Sequence, residues 1–223
     1  PDLPSSTTLA SPELRRRWIA EATRIAKAFK PSYFSLGNEI DSFYHYDDDK
    51  MKDFDNYVTL VAESYDAIKK VSPDTKVMVI FRYVEMNAKK GYHLIEKFDQ
   101  EKIDVFGFTS YPRFASAEDI PAGYYRPITE RTGDVPVAFT EIGWETKPGD
   151  PGAQERQAGF LFWFLRETKG MNLEMVVWPF LHDLAPPDKK APRSSNCGLI
   201  DYYGQPKPAW SIWQKLADLP LVK

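Results

Sequence analysis

Val77-Met78-Val79-Ile80-Phe81 is an unbroken apolar run that starts shortly after Ser72-Pro73. A strand that is apolar on both faces has to be covered on both faces, which is the habit of a parallel sheet between helices rather than of a half-exposed hairpin. The residues before it agree. Phe54, Tyr57, Val58, Val61, Tyr65, Ile68 and Val71 recur at helical spacing and mark an amphipathic helix that Ser72-Pro73 stops.

The same helix and strand rhythm extends in both directions. Upstream, Ser11-Pro12-Glu13 reads as a helix start, with Ser as N-cap and Pro at the first helical position, where its missing N–H costs nothing. Leu14, Trp18, Ile19, Ala22, Ile25, Ala26 and Phe29 form one apolar stripe, Lys30-Pro31 ends it, and Tyr33 to Leu36 is a short strand entering Gly37-Asn38-Glu39. Downstream, a short helix is expected over Gly91 to Phe98 and a strand over Ile103 to Phe108. A helix over Ile120 to Arg131 is interrupted by Pro121 and Pro127, and a strand over Val135 to Thr140 follows. The helix Gln154 to Lys169, the strand Glu174 to Trp178 and the helix Lys207 to Leu216 complete the pattern. Repeating βα units of this size imply an α/β fold with a parallel sheet covered by helices. Pro and Gly gather in the loops after strands, as in Lys147-Pro148-Gly149-Asp150-Pro151-Gly152 and Ala185-Pro186-Pro187, and no linker divides the chain, so residues 1–223 are expected to form one domain.

Bulk properties narrow the function. The 29 Lys and Arg against 32 Asp and Glu leave a net charge of -3, which gives no electrostatic reason for a nucleic-acid partner. The runs Asp47-Asp48-Asp49 and Arg15-Arg16-Arg17 have opposite signs and read as solvated faces. The single cysteine, Cys197, excludes an intrachain disulfide and any multi-cysteine metal site. His45, His93 and His182 do not form a metal set, and Tyr83 and Tyr111 stand at strand ends where a metal-dependent barrel hydrolase would want His or Lys. No cofactor or metal is therefore expected. No stretch reaches the ~18 apolar residues of a membrane span, and the opening Pro-Asp-Leu-Pro-Ser-Ser lacks the features of a signal peptide. Six Trp and twelve Tyr exceed what packing needs, and surplus rings stack on flat apolar faces, including those of sugars.

Two carboxylates stand at the C-terminal ends of expected strands: Glu39 in Ser35-Leu36-Gly37-Asn38-Glu39-Ile40, and Glu141 in Ala138-Phe139-Thr140-Glu141-Ile142-Gly143-Trp144. In a (β/α)8 barrel that rim carries the catalytic groups. A carboxylate running on from an apolar strand is costly to desolvate unless it is paired or used, so a salt-bridged rim Glu is the alternative for each.

The order and spacing of these motifs resemble those of clan A retaining glycoside hydrolases, in particular endo-β-1,4-galactanases and endo-β-1,3-glucanases. The closing stretch Gly198-Leu199-Ile200-Asp201 to Gly204-Gln205-Pro206-Lys207-Pro208-Ala209-Trp210 extends the likeness over nearly the whole chain. In that clan the acid/base follows strand four of a (β/α)8 TIM barrel and the nucleophile follows strand seven. The resemblance thus implies that strands four to eight and their helices are visible here, with Glu39 as acid/base and Glu141 as nucleophile. The expected carboxyl separation is the retaining one of ~5 to 5.5 Å. It further implies that Asn38 binds the sugar 2-hydroxyl, that Tyr111 donates a hydrogen bond to Glu141, and that Trp178 floors the sugar site. Trp144 becomes a second platform and His182 a rim contact. A turn-stabilising Asn, a packing Tyr and core Trp residues are the competing readings of these positions.

Three strands are missing from this picture, and a five-stranded open sheet leaves two unpaired edges where barrels close with eight. The missing strands are expected from upstream sequence or from a partner chain. The expected activity is retaining, endo-acting hydrolysis of a β-linked glycan, with Tyr44 and Tyr46 among the aromatics that suggest several subsites. The alternative is a carbohydrate-binding or scaffold protein with an inactive, incomplete barrel. Because such enzymes act on external polymers, the resemblance points to an extracellular or periplasmic setting.

Overall fold

A computed structural model describes residues 8–42, 48–147, 149–186 and 193–217. The expectations placed on Tyr44, His45, Tyr46, Asp47, Pro148 and Pro187 fall outside the described residues. Five strands, β1 (Tyr33–Ser35), β2 (Lys76–Arg82), β3 (Val105–Ser110), β4 (Val137–Ile142) and β5 (Leu173–Val176), form one sheet in sequence order. β1 pairs parallel with β2, Phe34 opposite Val77, and β2 pairs parallel with β3, Val79 opposite Phe106. Helices α1 (Pro12–Phe29), α2 (Asp48–Val71), α3 (Tyr83–Lys89), α4 (Arg126–Thr132), α5 (Ala153–Glu167) and α6 (Pro208–Ala217) alternate with the strands. This is part of a (β/α)8 barrel.

Local chemistry explains the helix boundaries. Ser11 caps α1 by accepting from Leu14 N, Pro12 opens the helix, and Lys30 closes it in the left-handed region with its N–H on Ala26 O. The helix expected from Ile120 begins only at Arg126, because Pro127 is tolerated in a first turn whose N–H groups need no intrahelical partner, whereas Pro121 stays outside. α3 was not expected. It follows β2 directly, has no side-chain cap, and its seven residues are too few to show a period; Tyr83 and Met86 are its buried face.

β3 and β4 run about two residues further than hydropathy suggests, to Ser110 and Ile142 rather than Phe108 and Thr140. The reason is polar satisfaction. Thr109 and Ser110 are buried because their hydroxyls have partners, Glu39 Oε1 at 2.9 Å and the Tyr125 hydroxyl at 2.7 Å.

The chain forms two compact units. The first comprises Pro1–Thr109, Ile128–Ala138 and Asn172–Met175. On one face of its strands Met78, Ile80, Val105 and Ala138 form a buried cluster with Tyr33 and Met175 against it. On the other, Phe81 stacks with Phe108 at 5.9 Å and meets Phe98 edge-on, and Phe98 in turn meets Phe54 of α2. Lys76 and the Tyr33 hydroxyl both donate to Glu174, the latter at 2.6 Å. The second unit comprises Ser110–Pro127, Phe139–Met171 and Val176–Lys223. Its core is aromatic too: Tyr125 packs edge-on against Phe139 at 4.7 Å, and Phe139 against Phe164 of α5 at 4.9 Å. Here Lys207, whose side chain is 1% exposed, donates to Asp183 Oδ1 at 2.7 Å and to Thr146 Oγ1 at 2.8 Å.

Candidate active site

Glu39 lies four residues beyond β1, in the turn Gly37-Asn38-Glu39. Its φ is 50°, a left-handed conformation that side-chain-bearing residues avoid unless the surroundings enforce it. They do. Ser42 N donates to Glu39 O at 2.9 Å, and the neighbouring Asp41, fully buried, accepts from Arg82 N at 2.7 Å. Gly37 N donates to Ser35 Oγ, Gly37 O accepts from Ile80 N, and a Cβ at Gly37 would stand 2.5 Å from the Tyr57 hydroxyl. The turn therefore has little freedom, and it aims Glu39 Oε1 at the Thr109 hydroxyl, 2.9 Å away at the end of β3. Asn38 is exposed, and its amide has no hydrogen-bond partner among the described residues.

Glu141 is carried near the end of β4, and Tyr111, just past β3, donates its hydroxyl to Glu141 Oε2 at 2.8 Å. Gly143 makes this possible. A Cβ there would meet the Tyr111 ring at 2.6 Å, so only glycine lets the ring lie against the strand end. A pocket of about 900 Å3 opens beside Glu141, with Tyr111, Phe114, Trp144 and Phe180 as its aromatic wall and Arg113 and Lys147 among its polar groups.

The remaining expected site residues are placed as follows. Trp144 is 6% exposed and stacks on Phe160 at 5.2 Å while contributing to the pocket wall. Trp178, 7% exposed, lies just past β5 between Phe160 and Trp213, and its Nε1 donates to Cys197 O at 2.7 Å. His182 is exposed on the loop after β5, in register with Ile200. His93 is exposed as well.

Sequence reasoning did not single out Thr109, Asp41 or Gly143, nor Gln157, whose buried amide donates to Trp144 O and Gly198 O and so holds two rim loops. Gly198 has no room for a Cβ, which would collide with the backbone of His182 and Asp183. The visible signals were the Glu141 motif, which contains Gly143, and the closing motif, which contains Gly198 and Lys207. Burial, with Glu145 nearby, pushes the Cys197 thiol up to about 12. Among the described residues no group of three or more His, Cys, Asp or Glu is placed to hold a metal, and no helix is long and apolar enough to cross a membrane.

The sheet thus carries one glutamate four residues beyond its first strand and another near the end of its fourth. The chain belongs to Glycosyl hydrolase family 53, whose sequence profile matches residues 23–159. No curated protein matches it. Among solved structures, the GH53 catalytic domain of Ignisphaera aggregans superposes with a TM-score of 0.65 at 17% identity, over 94% of this chain and 66% of that one. An exo-β-1,4-mannosidase from Opitutaceae bacterium strain TAV5 gives 0.70 at 18% identity, over 97% of this chain and 42% of that one. The hyperthermophilic β-glucosidase of Pyrococcus furiosus gives 0.67 at 16%, over 95% and 60%. These three likenesses establish the fold, and the chain spans between 42% and 66% of the solved chains.

Proposed function

We propose that this protein hydrolyses β-glycosidic bonds within a polysaccharide or oligosaccharide, with retention of configuration, using Glu141 as nucleophile and Glu39 as acid/base. The observation that carries the reading is the Tyr111 hydroxyl on Glu141 Oε2 at 2.8 Å. That bond leaves the other carboxylate oxygen to attack and orients it. In the first step Glu141 bonds to the anomeric carbon as the bond to the leaving oxygen breaks, and Glu39 gives that oxygen its proton. In the second, Glu39 takes a proton from water, whose oxygen displaces Glu141 and restores both carboxyl groups. The reading requires the two carboxyl groups to work ~5 to 5.5 Å apart.

Asn38, exposed beside Glu39, would bind the sugar 2-hydroxyl, a contact that strengthens toward the oxocarbenium-like transition state. Trp144 would wall the subsite beside Glu141, with Trp178 supporting its floor and His182 contacting substrate at the rim. The strands that complete a closed barrel would come from upstream sequence or a partner chain.

One observation favours a second reading, a carbohydrate-binding or scaffold protein with an inactive barrel: the described residues give five strands, and barrels of this kind close with eight. Turnover of aryl β-glycosides separates the two. The hydrolase reading expects Glu141→Gln to abolish turnover and Glu39→Ala to keep glycosylation by substrates whose leaving group needs no protonation, with azide restoring release. A 2-fluoro sugar with a good leaving group should label Glu141. Equal loss in both variants on every substrate, with no azide effect and no labelling, would sink it.

A further inference from the structure

α5 turns a stripe of Ala153, Gln157, Phe160, Leu161 and Phe164 inward, and Gln157, fully buried, is the polar member of that stripe. Its side-chain nitrogen faces three carbonyl oxygens: Trp144 O at 3.0 Å, Gly198 O at 3.1 Å and Cys197 O at 3.5 Å. A carboxamide turned the other way would set oxygen against oxygen, so chemistry fixes which end points at the carbonyls. Trp144 stands three residues past Glu141 and lines the pocket beside it, whereas Cys197 and Gly198 belong to the closing motif. The Cys197 carbonyl also accepts from Trp178 Nε1 at 2.7 Å. One turn further along α5, Phe160 stacks on Trp144 at 5.2 Å and meets Trp178 at 6.3 Å.

Both tryptophans are therefore held twice from one turn of one helix, by ring through Phe160 and by backbone through Gln157. Apolar packing keeps the rings together but has little directional preference, whereas a hydrogen bond with a narrow angular range fixes register. The arrangement has a cost. Gln157 Oε1 is buried with no donor among the described residues, and an unpaired buried acceptor is destabilising. A stripe that served packing alone would carry Leu or Met at this position. The carboxamide is explained instead by the two loops that it holds.

We infer that Gln157 is a positioning residue: one buried carboxamide sets Trp144 directly and Trp178 through the Cys197 carbonyl, so that the two ring walls beside Glu141 are placed together and not independently. This rests on the hydrolase reading and adds to it a residue that the substrate never touches. Walls that meet a sugar equally in its ground and transition states act through binding. Their displacement should appear in KM, while the bond from Tyr111 to Glu141, which serves the chemical step, stays in place.

The experiment compares the unmodified protein with Gln157→Met, which keeps the length and removes the donors, and Gln157→Glu, which keeps the shape and sets an acceptor against the carbonyls. Kinetics on the aryl β-glycoside turned over fastest are read beside the tryptophan indole N–H peaks in NMR spectra, where Trp144→Phe, Trp178→Phe and Trp18→Phe identify three of the peaks. Both Gln157 variants should raise KM about tenfold, the order of one or two lost hydrogen bonds, and keep kcat within about threefold. The Trp144 and Trp178 peaks should shift together, while the peak of Trp18, on α1, stays. A residue needed only for folding would lower the thermal midpoint and leave KM and both peaks unchanged. That result would overturn the inference, as would a shift of one of the two peaks without the other, or failure of both variants to fold. If the unmodified protein turns over no aryl glycoside, the hydrolase reading has failed, and the spectra decide alone: paired shifts support the placement of the tryptophans by Gln157, and unmoved peaks refute it.

Discussion

The Tyr111 hydroxyl donates to Glu141 Oε2 at 2.8 Å from a ring that Gly143 alone can accommodate. Tyr111→Phe removes the donor and keeps the ring. A hydrogen bond to a charged group contributes about 1.5 to 3 kcal/mol, so kcat/KM should fall roughly 10- to 150-fold on all substrates, with the thermal midpoint little changed. Gly143→Ala should do at least as much harm by pushing the ring aside. Full activity in both variants would remove Tyr111 from the site.

Thr109 stands to Glu39 as Tyr111 stands to Glu141, through its hydroxyl on Oε1 at 2.9 Å. Thr109→Val should lower turnover about tenfold for substrates whose leaving oxygen must be protonated, with little effect on dinitrophenyl glycosides, and Thr109→Ser should restore it. A loss independent of the leaving group would show that Thr109 matters only for packing.

The buried Lys207 and Asp183 give a stability test. Lys207→Met strands a carboxylate whose own side chain is 8% exposed, which should cost about 3 to 5 kcal/mol in denaturant unfolding. Burial already holds the Asp183 carboxyl above its ordinary range even with Lys207 beside it, and without the lysine it should move higher. The folded variant then binds a proton that the unfolded chain releases, so its deficit should shrink as pH falls toward the carboxylate range. A deficit that does not change with pH would contradict this.

Glu174 behaves in the opposite sense. Hydrogen bonds from Lys76 and then Tyr33 hold its carboxyl below the ordinary 4.5. The stability they contribute is present above the unfolded value and lost as pH falls through the lowered folded one. Glu174→Gln should therefore lower the thermal midpoint at neutral pH, and the gap to the unmodified protein should close only below pH 4.5. A gap that stays constant into strong acid would assign the effect to shape rather than charge.

The strands were legible because continuous apolar runs such as Val77 to Phe81 report burial on both faces, and β2 is buried along its whole interior. The ends were not. Thr109, Ser110 and Glu141 extend strands as polar residues whose partners are remote in sequence, and a hydropathy pattern carries no information about partners. The motifs pointed to Glu39 and Glu141 through their resemblance to a known clan, yet the left-handed turn at Glu39 was invisible, since nothing in Gly37-Asn38-Glu39 dictates which residue takes positive φ. Tyr111 was read from the resemblance; Thr109 stands two residues before it, but its bond to Glu39 spans 70 residues and left no mark in the sequence.

Cys197 remains. The sequence has no other cysteine, and this one is 2% exposed, with its thiol held protonated at neutral pH and its carbonyl tied to Trp178 Nε1. Thiol reagents attack the thiolate, so in the folded state they find almost nothing to react with. Labelling has to wait for the segment around Cys197 to come loose, which makes the alkylation rate a clock for local opening of the loops beside Glu141, readable at a single atom without an added probe.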